Sequence, residues 1–204
     1  SALLKSAKLI FPMLIFSVFF AEPIMTCMYG DIYAQSSIYF VIKNLSGLFY
    51  IIPFYPIILA IGKTNSYANA HMIAAFMIVI AEYVVCKTFD SAVYVAITSE
   101  LCNLVKIWLL LRVIANYAHM KITELLPPKP MTILIMISAL ASLPPFLLLD
   151  FLNMNKFIVL FVCLGFFLVD YYVLCWICKV TYRDIAGGFL KNKSRLNAVV
   201  KILP

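Results

Sequence analysis

Apolar residues in this chain come in long unbroken runs, unlike the alternation of a half-buried strand or the narrow stripe of an amphipathic helix. Six runs stand out: Leu9 to Met28, Ile38 to Ile61, Ala68 to Val85, Ala92 to Ile114, Met131 to Leu149 and Phe157 to Cys178. Each is about one bilayer long, since a helix of about 20 apolar residues crosses the hydrocarbon with its backbone polar groups paired internally. Polar segments rich in turn residues separate them, at 29–37, 62–67, 86–91, 116–130 and 150–156. These are too short to hold a separate soluble domain. The pattern predicts an all-α membrane protein with six transmembrane helices; strands of an outer-membrane barrel would alternate in polarity, and these runs do not.

Composition agrees. Of 204 residues, 65% are hydrophobic and 12% charged, about half the charged share of about 25% found in soluble globular domains. Soluble enzymes and nucleic-acid binders are excluded. The net charge of +7 is unevenly spread, and positively charged flanks stay on the cytoplasmic side. Lys5 and Lys8 precede the first run, Lys63 follows the second, and Arg112, Lys121 and Lys129 follow the fourth. Lys179, Arg183, Lys191, Lys193, Arg195 and Lys201 follow the sixth, forming a basic tail over 181–204. The intervening loops hold only Lys87 and Lys156, matched by Asp90 and Asp150, with Asp31 unmatched. Both ends are therefore expected in the cytoplasm, the tail acting as a topology determinant that can also touch anionic headgroups. The chain opens on Ser1 with no signal peptide before the first run. It reads as a fragment whose upstream portion is missing.

Cys27, Cys86, Cys102, Cys163, Cys175 and Cys178 are scattered within or at the ends of apolar runs and read as small hydrophobes. Cys175-Trp-Ile-Cys178 has redox spacing but lacks a thioredoxin-like βαβ context. His71 and His119 fall near run ends. No catalytic motif, metal cluster or phosphate-binding loop is visible, so no enzyme activity, cofactor or metal is expected.

Ionisable residues inside the runs carry the functional signal, because each costs about 2.5 to 3.5 kcal/mol at the centre of a lipid-facing helix on insertion scales. They should face protein or water. Tyr39, Lys43, Ser46, Gly47 and Tyr50 recur at helical spacing on one face of the second run, which Pro53 and Pro56 then bend. Ser99, Asn103 and Lys106 share a face of the fourth, with Glu100 about 100° away but within reach of Asn103. Two lysines beside tyrosines suit an anionic, partly sugar-like ligand: ammonium groups pair with phosphate and aromatic rings pack on sugar faces. The plain alternative is a lysine that snorkels to headgroups or pairs with Glu100 to hold helices together. Asp170, next to Tyr171 and Tyr172 in the sixth run, reads as a structural acid or a proton or cation site. Glu22 and Glu82 read as interfacial.

The run Ala21-Glu-Pro-Ile-Met-Thr-Cys-Met-Tyr-Gly-Asp-Ile-Tyr33 resembles the "APxxxxLLFGxxY" signature closing the first span of the polysaccharide-synthesis carboxy-terminal region of bacterial polysaccharide flippases. Leu59-Ala-Ile-Gly-Lys-Thr64 resembles its "LxALGKTK" ending of the next span, and Ile97-Thr-Ser-Glu-Leu101 its "ATxxSE" stretch. Glu22 before Pro23, Met28-Tyr29 for Leu-Phe and Asn65 for the second Lys depart from the pattern. The resemblance is to the O-antigen and capsule flippases of the multidrug, oligosaccharidyl-lipid and polysaccharide exporter superfamily. It implies that 1–120 is the four-helix carboxy-terminal region and 121–180 two further spans, all part of a two-bundle transporter of 12 to 14 helices.

The implied activity is flipping of an undecaprenyl-diphosphate-linked oligosaccharide across the bacterial inner membrane for O-antigen, capsule or exopolysaccharide synthesis. Its implied partners are the lipid-linked oligosaccharide, the bilayer, the missing amino-terminal bundle, and a polysaccharide polymerase with glycosyltransferases. Lys43, Lys106 and Asn103 would then line a cavity wall, Tyr39 and Tyr50 would meet sugar, and Glu100 or Asp170 would offer a coupling-cation site. Two rivals remain. A multidrug or metabolite exporter of the same superfamily would share the bundle, and a non-transporting scaffold of a polysaccharide assembly complex would share the hydropathy. An intramembrane lipid glycosyl- or phosphotransferase would need a clustered acidic site, and Asp31, Asp90 and Asp150 lie singly.

Overall fold

A computed structural model of the chain describes residues 2–89, 91–149, 155–178 and 180. The basic tail expected over 181–204 lies outside these residues, as do Asp90, Asp150 and Lys179. The described chain is helical throughout: α1 (Ala2–Phe19), α2 (Ala21–Tyr29), a 3₁₀ helix (Asp31–Ser36), α3 (Ser37–Gly47), α4 (Phe54–Ala60), α5 (Thr64–Thr88), α6 (Ala92–Ala118), α7 (Ile122–Leu125), α8 (Pro128–Leu148) and α9 (Lys156–Ile177).

Four of the expected spans are single helices. α5, α6, α8 and α9 are long and apolar enough to cross a membrane, and they match the third to sixth runs within a turn at most ends. The 25 residues of α5 and 27 of α6 reach about 37 and 40 Å at 1.5 Å per residue, against a hydrocarbon core of about 30 Å. Such helices fit a membrane protein.

The first two runs depart from expectation, and the described residues do not show six uninterrupted spans. The first run is bent by 78° between α1 and α2, so the described residues hold four candidate spans, or five if the bent pair counts as one. The second is divided into α3 of 11 residues and α4 of 7, about 16 and 10 Å long, with a non-helical stretch at 48–53 between them. Proline explains the second break. Pro53 and Pro56 carry no N–H and disfavour a helical residue before them; backbone bonds in the gap shorten to Phe49 N–H to Ser46 C=O (3.0 Å) and Tyr50 N–H to Gly47 C=O (3.1 Å). The gap is pinned by side chains that pack inward: Ile51, Ile52, Phe54 and Ile58 are all buried beside Phe11, Ile107 and Leu111. At the break in the first run, Pro23 in the opening turn of α2 cannot donate to the Phe19 carbonyl, so α1 loses a helical bond at its last residue.

Helices neighbour one another in the order α9, α8, α1, α3, α6, α5, while α2 folds over to touch both α3 and α9. Two apolar clusters hold the row. One gathers Ala7, Phe11, Leu110, Ile114 and Leu134 around the α3/α4 gap. The other stacks Phe16, Phe20 and Phe167, with Phe16 and Phe20 ring centroids 4.4 Å apart. Small buried residues of α8, namely Ser138, Ala141 and Ser142, let α1 and α8 approach closely, the device by which helices pack in a membrane where burial of apolar surface gives no drive. Ser138 and Ser142 hydroxyls donate back to the carbonyls of Leu134 (2.7 Å) and Ser138 (2.9 Å).

Two glycines turn the chain. Gly30 (φ 94°) ends α2 and Gly62 (φ 70°) links α4 to α5. A Cβ would meet open space at both, so the requirement is the left-handed backbone itself.

Candidate functional site

α3 and α6 lie side by side with polar residues turned toward one another. On α6, Glu100 and Asn103 stand three residues apart, so both fall on the face packed against α3; they are 7% and 6% exposed. Asn103 Nδ2 donates to Glu100 Oε1 at 3.0 Å. From α3, Lys43 Nζ donates to Glu100 Oε2 at 3.4 Å. From the gap beyond α3, the Tyr50 hydroxyl meets the Asn103 amide, 3.3 Å from Nδ2 and 3.4 Å from Oδ1. Ser46, fully buried, bonds the Lys43 carbonyl at 3.1 Å and faces the Glu100 carboxylate. One carboxylate thus ties together α3, α6 and the non-helical stretch.

The pair is asymmetric. The Glu100 side chain is 9% exposed and that of Lys43 72%. The carboxylate is sealed between helices and the ammonium looks outward, beside exposed Tyr39 and Tyr50. Lys43 lies six residues into α3 and Glu100 eight into α6, about 9 and 12 Å along their helices. Both are therefore at similar depth from the Gly30 end. The site includes the place where the second run is interrupted, through Tyr50, and interrupted helices are how membrane transporters commonly build ligand sites.

Of the residues the sequence singles out, the structure brings together Lys43, Tyr50, Glu100 and Asn103. Tyr39 shares the outward side of α3 a turn from Lys43. Lys106 is separate: half-buried on α6, it makes no hydrogen bond or ion pair with the cluster among the described residues. Asp170 sits on α9, which packs against α8, α2 and α1 rather than α3 or α6, so it is remote from the cluster. Tyr50 is not on a helix face as the spacing suggests, because α3 ends at Gly47; the turn after it still delivers the hydroxyl to Asn103. Spacing alone sets Glu100 off the polar stripe of the fourth run, whereas in the fold Glu100 and Asn103 define that stripe.

Asn44 escapes the sequence reading. Its Nδ2 is buried and has no hydrogen-bond acceptor among the described residues, an uncommon state for a buried donor. The signal that could find it is an amide next to Lys43 in an otherwise apolar run. No disulfide forms among the described residues; Cys102, Cys163 and Cys175 are buried and Cys86 and Cys178 exposed. Among the described residues no three His, Cys, Asp or Glu side chains are grouped to hold a metal ion.

Comparison with protein-family models, curated proteins and solved structures returns no match. Function therefore rests on the site itself.

Proposed function

We propose that the chain forms part of a transporter that flips an undecaprenyl-diphosphate-linked oligosaccharide across the bacterial inner membrane, with Lys43 receiving the diphosphate. The observation that carries this reading is the Lys43–Glu100 pair, whose ammonium is outward and whose carboxylate is sealed. An ammonium left open while its partner carboxylate is sealed can meet an incoming anion without the two helices parting. A diphosphate arriving from that side meets a cation already fixed in position, and Tyr39 and Tyr50, exposed on the same side, offer ring faces to sugar.

Glu100 has a second role in this reading. While no anion is bound, it neutralises Lys43 and keeps the site from holding a bare charge in a low-dielectric region. An incoming phosphate competes for the ammonium, so loading and release trade one ion pair for another rather than creating and destroying charge. Lys106, outside the cluster, contributes long-range attraction rather than contact. The order and spacing of the three sequence motifs support the same assignment.

The test is replacement of Lys43 and Lys106 together by Gln in the full-length protein within a polysaccharide-producing bacterium. Surface polysaccharide is expected to be lost with the protein at its normal level in the membrane once Glu100→Gln is added, which removes the buried charge that Lys43→Gln leaves unpaired. Undiminished surface polysaccharide would overturn the reading. Retention of activity in Lys106→Gln alone, with loss in Lys43→Gln alone, is the pattern the geometry favours.

A further inference from the structure

We propose that the cavity beneath α2 binds the cationic head of an amphiphile, an ammonium or phosphonium group carried on an apolar body. This site is separate from the Lys43–Glu100 cluster and does not depend on the flipping activity. It arises because α2 turns away from α1 and bridges to α3 and α9, leaving a space of about 880 Å³ roofed by α2. That size lies within the 300 to 1,000 Å³ range usual for small-molecule pockets.

The lining has two parts. Its walls are apolar, with Phe19, Phe146, Leu149 and Val159 among them, and Phe19 and Phe146 meet edge to face at 5.9 Å. Its charged groups are Glu22, Asp31 and Lys156. Asp31 and Lys156 neutralise each other in an ion pair that ties the 3₁₀ helix to α9. Glu22 is left without an ion-pair or hydrogen-bond partner among the described residues, and the described lining carries a net charge of −1. A carboxylate beside aromatic rings is the chemistry that recognises alkylammonium groups, the rings through their negative faces and the acid through charge. The apolar walls favour a cation with hydrocarbon attached over a small hydrated ion. Two sources supply that chemistry, an amine-headed lipid such as phosphatidylethanolamine and a free lipophilic cation.

Binding of radiolabelled tetraphenylphosphonium to the whole chain in nanodiscs of phosphatidylglycerol tests this. Saturable binding is expected, weakened about fivefold by Glu22→Gln, about threefold by Phe146→Leu, and restored by Glu22→Asp. It should be unchanged by Lys43→Gln, so a failure here and a failure of the flipping role are read separately. Neutral triphenylphosphine oxide should not compete. Weaker phosphonium binding in nanodiscs containing phosphatidylethanolamine would name the lipid as occupant, and unaltered binding would name a free cation. Absence of saturable binding, or equal affinity in wild type and in a Glu22→Gln protein that retains its thermal unfolding midpoint, would overturn the proposal.

Discussion

Lys43 and Glu100 are unequal partners, and the inequality predicts unequal mutants. Replacing Lys43 by Gln leaves a carboxylate sealed between α3 and α6 with no counter-charge, and an unsatisfied buried acceptor costs about 1 to 3 kcal/mol, more when charged. Replacing Glu100 by Gln removes the buried charge, keeps a carbonyl oxygen for Asn103 Nδ2, and releases a lysine that is already mostly exposed. Thermal unfolding in detergent should therefore show Lys43→Gln well below Glu100→Gln, with the latter within about 1 kcal/mol of wild type. Equal losses would mean that the pair is not asymmetric in the folded protein. A second residue-scale prediction concerns Pro12, inside α1. Having no N–H, it leaves the Lys8 carbonyl without its helical partner, and the Tyr171 hydroxyl of α9 donates to that oxygen at 3.4 Å. Tyr171→Phe should cost about 0.6 kcal/mol, the average for an interhelical bond in a membrane bundle. In a Pro12→Ala background, where the substituted residue supplies its own N–H to that carbonyl, the cost should shrink; a double-mutant cycle by thermal unfolding reads the coupling. The residues of the central site are legible in the sequence because charges and amides are rare in apolar runs. Their pairing is less so: spacing places side chains on a helix face, and only the packing of α3 on α6 decides which face is used.

At the scale of elements, four helices are readable from hydropathy alone because their runs carry no proline in the middle and end in turn residues. α8 is instructive. It contains Pro144 and Pro145 yet stays helical to Leu148, since its prolines sit in the last turns, and the Cys163 thiol donates to the Pro145 carbonyl at 3.6 Å. Pro53 falls deeper in its run, eight residues from Ile61, and with Pro56 in the first turn of α4 it divides that run. Hydropathy cannot see this difference, because a broken span is as apolar as an intact one. The gap presents alternate residues differently: Tyr50 is 50% exposed and Ile52 2%. A water-soluble maleimide should accordingly label Tyr50→Cys rapidly and Ile52→Cys hardly at all, with the native cysteines replaced by Ala or Ser. Equal labelling of both, or protection of both, would mean that position 50 does not face an aqueous path. The bend between α1 and α2 has one local signal, Pro23, which cannot donate to the Phe19 carbonyl four residues back; the 78° angle itself is held by packing of α2 on α3 and α9, a tertiary effect absent from a single run of residues.

The molecule as a whole is a row of helices with α5 at one end, touching α6 and the short α4. Met72, Phe76, Val79 and Tyr83 recur at helical spacing along α5 and are exposed by 66, 70, 68 and 62%. A face that apolar belongs against lipid tails or another apolar surface. A single tryptophan introduced by Phe76→Trp, with both native tryptophans, Trp108 and Trp176, changed to Phe, should be strongly quenched by lipids brominated on their acyl chains; protection from quenching would place a protein partner on this face instead. The row also explains why the sequence foretells a membrane protein and four of its spans but not the rest: composition decides the solvent of the chain, whereas the remaining crossings depend on how the first two runs fold back.

The Lys43–Glu100 pair has a consequence in time. The two residues are 57 positions apart, and at about 5 to 20 residues per second of synthesis the lysine waits about 3 to 11 seconds for its carboxylate. During that interval α3 has an uncompensated cation and a proline-broken continuation, a poor candidate for stable insertion by itself. It settles only when α6 arrives, so the order of manufacture and the order of membrane entry differ for this segment. With the native cysteines replaced, nascent chains halted before Glu100 emerges should leave Ser46→Cys open to a water-soluble maleimide. Chains halted after Ala118 has emerged should shield the same position, since Ser46 is fully enclosed in the finished packing. Equal labelling at both stages would show that α3 inserts without waiting.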